Sequence, residues 1–162
     1  MDGISIKEYS PEYLDEIIEL ILSIQQAEFK IPITKEDQPD LSDIPNFYQS
    51  GTGNFWIALC NNQVIGTISL VDIGNHQGAL RKMFVKAPYR GGGYQTASVL
   101  LQQLFVWSRE HSIREIYLGT TEKFLAAHRF YEKNSFVQIP KEELPDAFPI
   151  MKVDTRFYQI KL

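Results

Sequence analysis

Three consecutive glycines, Gly91, Gly92 and Gly93, stand between an apolar run that ends at Val85 and a segment whose leucines recur at helical spacing. A backbone free to curl at three successive positions can approach a ligand closely, and the helix that follows presents amides with no preceding carbonyl to bond. Such a turn suits a phosphate or pyrophosphate. Arg90 can add a charge-assisted contact. The glycines alone are better explained as a plain connection between a strand and a helix, so spacing has to decide. A Walker loop fails because no lysine follows the glycines. A dinucleotide fingerprint fails because Thr96 occupies the place of its third glycine.

Charge is distributed unevenly around this loop. Residues 1–50 carry 11 acids and 3 bases, whereas residues 73–109 carry 5 bases and no acid, within a net charge of −4. An acid-free window around a glycine loop is compatible with an anionic ligand. The overall acidity, with a pI near 5.4, argues against a nucleic-acid partner. No apolar run reaches the length of a membrane span, and the start MDGISIKEYS lacks a basic and then hydrophobic leader, so a cytoplasmic protein with no membrane partner is expected. The single cysteine, Cys60, reads as core filler in a reducing compartment. No cluster of His, Cys, Asp or Glu has ligand spacing, so no metal is expected.

The 162 residues, 44% of them hydrophobic, suffice for one domain spanning residues 1–162. Hydrophobic periodicity then orders its elements. Ser10 and Pro11 mark a helix start, and Leu14, Ile17, Ile18, Ile21 and Leu22 form one apolar face. Residues 4–7 read as a short strand before it, and a short helix is expected near residues 44–49. Residues 55–60 and 64–71 read as strands joined by a tight turn at Asn61 and Asn62. A third strand covers residues 80–86, and the helix after the glycines buries Ala97, Leu100, Leu101, Leu104 and Phe105. A strand over 113–118, a helix over 124–133 and strands over 136–139 and 155–162 complete the order βααβββαβαββ. Hairpin strands followed by one crossover imply a mixed α/β fold, with helices on both faces of a mixed sheet.

The run Leu80-Arg81-Lys82-Met83-Phe84-Val85 and the segment Pro88-Tyr89-Arg90-Gly91-Gly92-Gly93 resemble the acetyl-CoA loop of the GNAT superfamily of N-acetyltransferases, whose pattern is R-x-x-G-x-G/A. Ala127-His128-Arg129-Phe130-Tyr131-Glu132-Lys133-Asn134-Ser135-Phe136 resembles the second signature of that superfamily, A-x-x-[LF]-Y-E-K-x-G-F. The resemblance implies a GNAT-like sheet of about seven strands, mostly antiparallel, and acetyl-CoA as cosubstrate. It implies that the main chain of Met83, Phe84 and Val85 pairs with the pantetheine arm at a splayed strand edge. The amides of Gly91, Gly92, Gly93, Gln95 and Thr96, with Arg90, would hold the pyrophosphate. Tyr131 would protonate or hydrogen-bond the departing thiolate. The activity implied is acetyl transfer to a primary amine by direct attack in a ternary complex.

Three positions depart from the pattern: Gln95 replaces a Gly or Ala, Ser135 a glycine, and Phe124 a frequent asparagine. Gln95 is expected on the first helical turn, its side chain turned from the phosphates. The place where some members carry a glutamate base holds Ala79, which leaves Glu122 as the candidate base ahead of His76 and His128. The acidic first 50 residues lean toward a small cationic acceptor such as a polyamine. The alternatives are a non-catalytic acyl-CoA sensor and an interaction module, the latter a homodimer paired through residues 155–162.

Overall fold

A computed structural model describes residues 3–162. Its elements follow the expected order: β1 (Ser5–Glu8), α1 (Leu14–Leu22), α2 (Ile44–Phe47), β2 (Asn54–Cys60), β3 (Gln63–Asp72), β4 (Gln77–Val85), α3 (Thr96–Glu110), β5 (Glu115–Thr120), α4 (Leu125–Lys133), β6 (Val137–Ile139) and β7 (Arg156–Lys161). They build one seven-stranded sheet in the order β1-β2-β3-β4-β5-β7-β6. Only β4 and β5 run parallel; every other neighbouring pair is antiparallel.

Alternation along β2 shows how the sheet is covered on both faces. Phe55, Ile57 and Leu59 pack with Ile17, Leu20 and Ile21 of α1, while Trp56, Ala58 and Cys60 pack with Leu100, Leu101 and Leu104 of α3. A strand buried on both faces is apolar at every position, which is why its sequence reads as a continuous run. Truncating Ile17 to alanine, where the side chain is fully buried, is expected to cost about 2–5 kcal/mol. Cys60 is buried filler, as expected.

The turn at Asn61 and Asn62 takes φ of 52° and 63°, the left-handed pair that a two-residue hairpin requires. Ser10 does not cap with its side chain; a 3₁₀ turn over Pro11–Tyr13 precedes α1. Beyond Leu22 the chain continues as a π-helical stretch, Ser23–Glu28, that the periodicity did not reveal. Ser135, in place of glycine, adopts φ of 75° just past α4, and the Phe136 amide bonds back to the Tyr131 carbonyl. The alternative of a dimer paired through residues 155–162 meets an obstacle. Over residues 157–159 both edges of β7 are taken, by β5 and by β6, so that stretch has no free edge to offer a second copy.

Candidate active site

The parallel pair at the middle of the sheet opens into a wedge. β4 and β5 are in register only from Gln77↔Glu115 to Ala79↔Tyr117, although β4 continues to Val85 and β5 to Thr120. Residues 80–85 therefore present a main-chain edge with no β5 partner. A bulge sits inside that edge: Thr67 pairs with Phe84 and Ser69 with Arg81, so β4 carries one residue too many. Lys82 absorbs it at φ of 52°, a left-handed conformation that costs a residue with a Cβ about 1–2 kcal/mol. The hydroxyls of Thr67 and Ser69 fasten the bulge by donating to the carbonyls of Lys82 and Arg81, at 2.6 and 2.7 Å.

A cavity of about 790 Å³ fills the wedge. Met83, Phe84, Val85, Arg90, Gly91, Gln95, Thr96 and Tyr131 all line it, so most of the residues expected to act together do share one space. Gly92 and Gly93 are exposed on the same loop and do not line the cavity. All three glycines have positive φ, at 67°, 59° and 87°. A Cβ added at Gly91 or Gly92 would meet nothing within 4 Å, so the loop's outer face is open to a ligand. Gly66 lets the start of α3 settle on the sheet, since a Cβ there would stand 3.1 Å from Leu100 and 3.4 Å from Thr96. The Thr96 hydroxyl donates to the Tyr89 carbonyl and its amide opens the first turn of α3.

Two expectations for the loop require correction. Gln95 is not on the first turn; it precedes the helix at φ of 53° with its side chain exposed, because the chain must reverse hand to leave the glycines and enter α3. Arg90 is not a free cation. Its guanidinium forks onto the carboxylate of Glu28, and its Nε donates to the Val85 carbonyl at 2.7 Å.

Tyr131 projects from α4 with 5% of its surface exposed. Among the described residues its hydroxyl has no hydrogen-bond partner, and burial pushes the phenol well above its ordinary pKa. It is therefore a neutral donor without a protein acceptor. Glu122 is exposed and outside the cavity lining. His76 lies in the β3–β4 turn with Nδ1 against the Ser112 carbonyl. His128 sits with Nε2 2.9 Å from the Thr121 carbonyl and Nδ1 3.2 Å from Arg156, so Nε2 carries the proton and Nδ1 accepts from the guanidinium. Burial lowers its pKa and it stays neutral.

The carboxylate that does line the cavity is Asp154, which belongs to no motif or periodic pattern. Gly119 makes room for it: a Cβ there would lie 2.6 Å from Asp154 Oδ2. Burial raises its carboxyl pKa, an effect offset in part by the Met151 amide 3.0 Å away and by Arg81 and Lys82. Among the described residues, none of the acids up to residue 50 lines the cavity; that segment supplies Ile24, Gln25, Phe29, Ile31 and Ile33 instead. The basis for expecting a cationic acceptor is therefore absent from the cavity wall. Among the described residues, no group of three or more His, Cys, Asp or Glu is placed to hold a metal ion, and no helix is long and apolar enough to cross a membrane.

A splayed parallel pair beside a glycine loop is the arrangement that the two sequence signatures imply. Residues 18–136 match the acetyltransferase (GNAT) family, and the chain belongs to that family. It is 30% identical over 106 residues to an N-acetylaspartate synthetase of Danio rerio, a match covering 64% of this chain and 37% of that protein. The chain thus spans well under half the length of that curated relative. A GNAT-family acetyltransferase from Staphylococcus aureus Mu50 superposes with a TM-score of 0.95 at 42% identity, over 98% of this chain and 99% of that one. The PaiA N-acetyltransferase of Thermoplasma acidophilum, solved in complex with coenzyme A, shares the fold with a TM-score of 0.74 at 19% identity, over 99% of each chain.

Proposed function

We propose that the protein transfers the acetyl group of acetyl-CoA to the primary amine of a small acceptor. The observation that carries this reading is the single cavity shared by the β4 edge, the glycine loop with the start of α3, and Tyr131. The residues suit the cosubstrate. Open left-handed glycines and first-turn amides form a cradle for a pyrophosphate. The unpaired edge over residues 80–84 offers main-chain groups to an extended amide-bearing arm such as pantetheine. The fold shared with a coenzyme A complex, and a relative named for synthesis of an N-acetylated amino acid, support a CoA thioester and a small amine.

Acetyl-CoA would supply the activated acyl group; the chain's own residues handle the protons. Asp154, whose carboxyl pKa is raised by burial, accepts as its carboxylate a proton from the acceptor's ammonium and leaves the amine lone pair free to attack. Tyr131 donates a hydrogen bond to the sulfur as the N–C bond forms and the C–S bond breaks. Its raised pKa keeps the phenol neutral, so it stabilises the thiolate without ionising. Of the two protons the ammonium gives up, one ends on the CoA thiol and one in solvent.

The test is free-thiol release from acetyl-CoA across a panel of primary amines, with acetyl-CoA binding followed by thermal shift. At 100 times its Kd a ligand stabilises the fold by about 2.7 kcal/mol. Binding with turnover is expected. Absence of any shift at millimolar acetyl-CoA refutes the reading, and a shift without turnover of any amine converts it to an acyl-CoA sensor.

A further inference from the structure

The floor of the cavity carries two adjacent cations that share one carboxylate, Asp40, at ion-pair but not hydrogen-bond distance. Lys82 is 8% exposed and lines the cavity; its ammonium lies 2.5 Å from Gln38 Oε1 and 3.6 Å from Asp40 Oδ2. Arg81 also lines it, with Nη2 3.8 Å from Asp40 Oδ1, 2.8 Å from the Met151 sulfur, and its guanidinium over the Phe47 ring. Asp40 is the carboxylate both cations share, and neither reaches hydrogen-bond distance from it. Its Oδ2 instead accepts the Tyr48 hydroxyl at 2.6 Å. Gln38 is held in place by reciprocal amide bonds with Gln25 at 2.9 and 3.1 Å and cannot supply charge.

A buried ammonium costs several kcal/mol unless a close anion compensates it. Here the chain supplies one neutral oxygen and a carboxylate at second-contact distance, and it adopts a left-handed lysine at a bulge to bring that ammonium to the cavity. Burial first and Arg81 after it lower the Lys82 pKa to about 8 against the opposing pull of Asp40 and Asp154, so these carboxylates do not fully offset the cost of burying the ammonium. Asp154 lines the same cavity, feels the charge of both cations and is the one acid in the lining.

We propose that Lys82 and Arg81 form a carboxylate subsite, so that the acceptor is an amino acid whose carboxylate is bound at the β4 bulge while its amine faces Asp154. The inference rests on the acetyltransferase reading and adds to it the acceptor's chemical class and the residue that selects it. A carboxylate contributes up to four lone-pair directions and accepts from both the ammonium and the planar guanidinium fork. Asp154 then meets the ammonium of the same zwitterion. A polyamine would set a second cation beside Lys82 and Arg81 and is disfavoured by repulsion.

The experiment compares each standard amino acid with its own carboxamide, and both with spermidine, by thiol release from acetyl-CoA with the full chain. At least one amino acid is expected to exceed its amide in kcat/KM by about tenfold or more, the scale of a hydrogen-bonded charge pair. Lys82→Met is expected to bring that ratio toward one while the acetyl-CoA Kd changes by less than about twofold; Lys82→Arg should restore part of the ratio. Taking the ratio in parent and variant cancels the difference in amine basicity between acid and amide. Amides or spermidine serving as well as the amino acids overturns the inference, as does a ratio that Lys82→Met leaves intact, or acetyl-CoA binding with no amino acid turned over. Failure of acetyl-CoA to bind the parent is a distinct result that removes the underlying acetyltransferase reading as well. Should Lys82→Met not fold, Lys82→Gln and the parent's own acid-to-amide ratio decide.

Discussion

Arg90 lays its guanidinium on the carboxylate of Glu28, 62 residues earlier in the chain, with Nη2 2.7 Å from Oε1. Together with the bond from its Nε to Val85 and the Phe29 ring beneath it, this ties the end of the π-helical stretch to the glycine loop. The pair is about one-third exposed, so its worth is limited to about 0.5–1 kcal/mol. Glu28→Gln is therefore expected to lower acetyl-CoA affinity by about two- to fivefold through a looser loop, with a small fall in Tm. Titration calorimetry checks this. A tighter complex would show that Glu28 competes with the phosphates for Arg90.

Gly93 has φ of 87°, where a branched side chain is strained by about 1–2 kcal/mol before any ligand is considered. Gly93→Val is expected to weaken acetyl-CoA binding by about tenfold or more. Gln95 offers the complementary variant. Its side chain is exposed and its backbone left-handed, so Gln95→Gly should raise stability by about 1 kcal/mol while leaving the acetyl-CoA Kd within about twofold. Equal losses of affinity in both variants would place the pyrophosphate elsewhere.

Much of this architecture is legible because local chemistry and tertiary role agree. The apolar face of α1, the Asn61-Asn62 turn and the glycines before α3 each demand one conformation, and the chain adopts it. The floor of the cavity was not legible. Arg81 and Lys82 read as ordinary strand residues, since nothing in Arg-Lys-Met announces a bulge, and one inserted residue turns a side chain from one face to the other. Gln25 and Gln38, which hold Lys82, are 13 residues apart with no motif joining them. Asp154 was hidden for a similar reason: it faces the cavity because Gly119, on a different strand, leaves room. The candidate base Glu122 follows a strand in the sequence, but it is exposed and lies off the cavity wall.

Tyr131→Phe separates chemistry from packing cleanly. Because the hydroxyl has no partner among the described residues, its removal breaks no protein hydrogen bond, and the ring keeps its contacts with Phe136 and Tyr158. The melting temperature is expected to stay within about 1 °C, under the roughly 2–4 °C that a 1 kcal/mol change gives in a domain of this size. A preorganised hydrogen-bond donor at a developing negative charge contributes about 10²–10³ in rate, so kcat should fall by about a hundredfold or more with little change in acetyl-CoA Kd. A kcat within about threefold of the parent, under 1 kcal/mol of barrier, removes Tyr131 from the mechanism.

Asp154→Asn tests the proton acceptor. The amide keeps the shape beside Gly119 but cannot take a proton, so kcat/KM at neutral pH should fall by about 10²-fold or more. Because an ammonium acceptor loses its proton unaided as pH rises, the variant should recover toward the parent at alkaline pH. A uniform deficit across the pH range would make Asp154 a structural residue.

Lys82 gives the subsite a pH signature whose sign follows from its displaced pKa, about 8 in the fold against 10.5 in the unfolded chain. Between those values the unfolded chain binds more protons than the folded one, so this group makes the fold more stable as pH rises through the window. Over the full interval the gain is about 3 kcal/mol, and Lys82→Met lacks it. The stability of the parent relative to Lys82→Met is therefore expected to rise from pH 8 to 10.5, as read by urea denaturation at several pH values. Catalysis should move the opposite way. As the ammonium discharges above pH 8, the preference in kcat/KM for an amino acid over its amide should decline, because only Arg81 remains to meet the carboxylate while Asp40 and Asp154 repel it. A preference that holds constant to pH 10 would assign carboxylate recognition to Arg81 alone, since its guanidinium stays charged throughout.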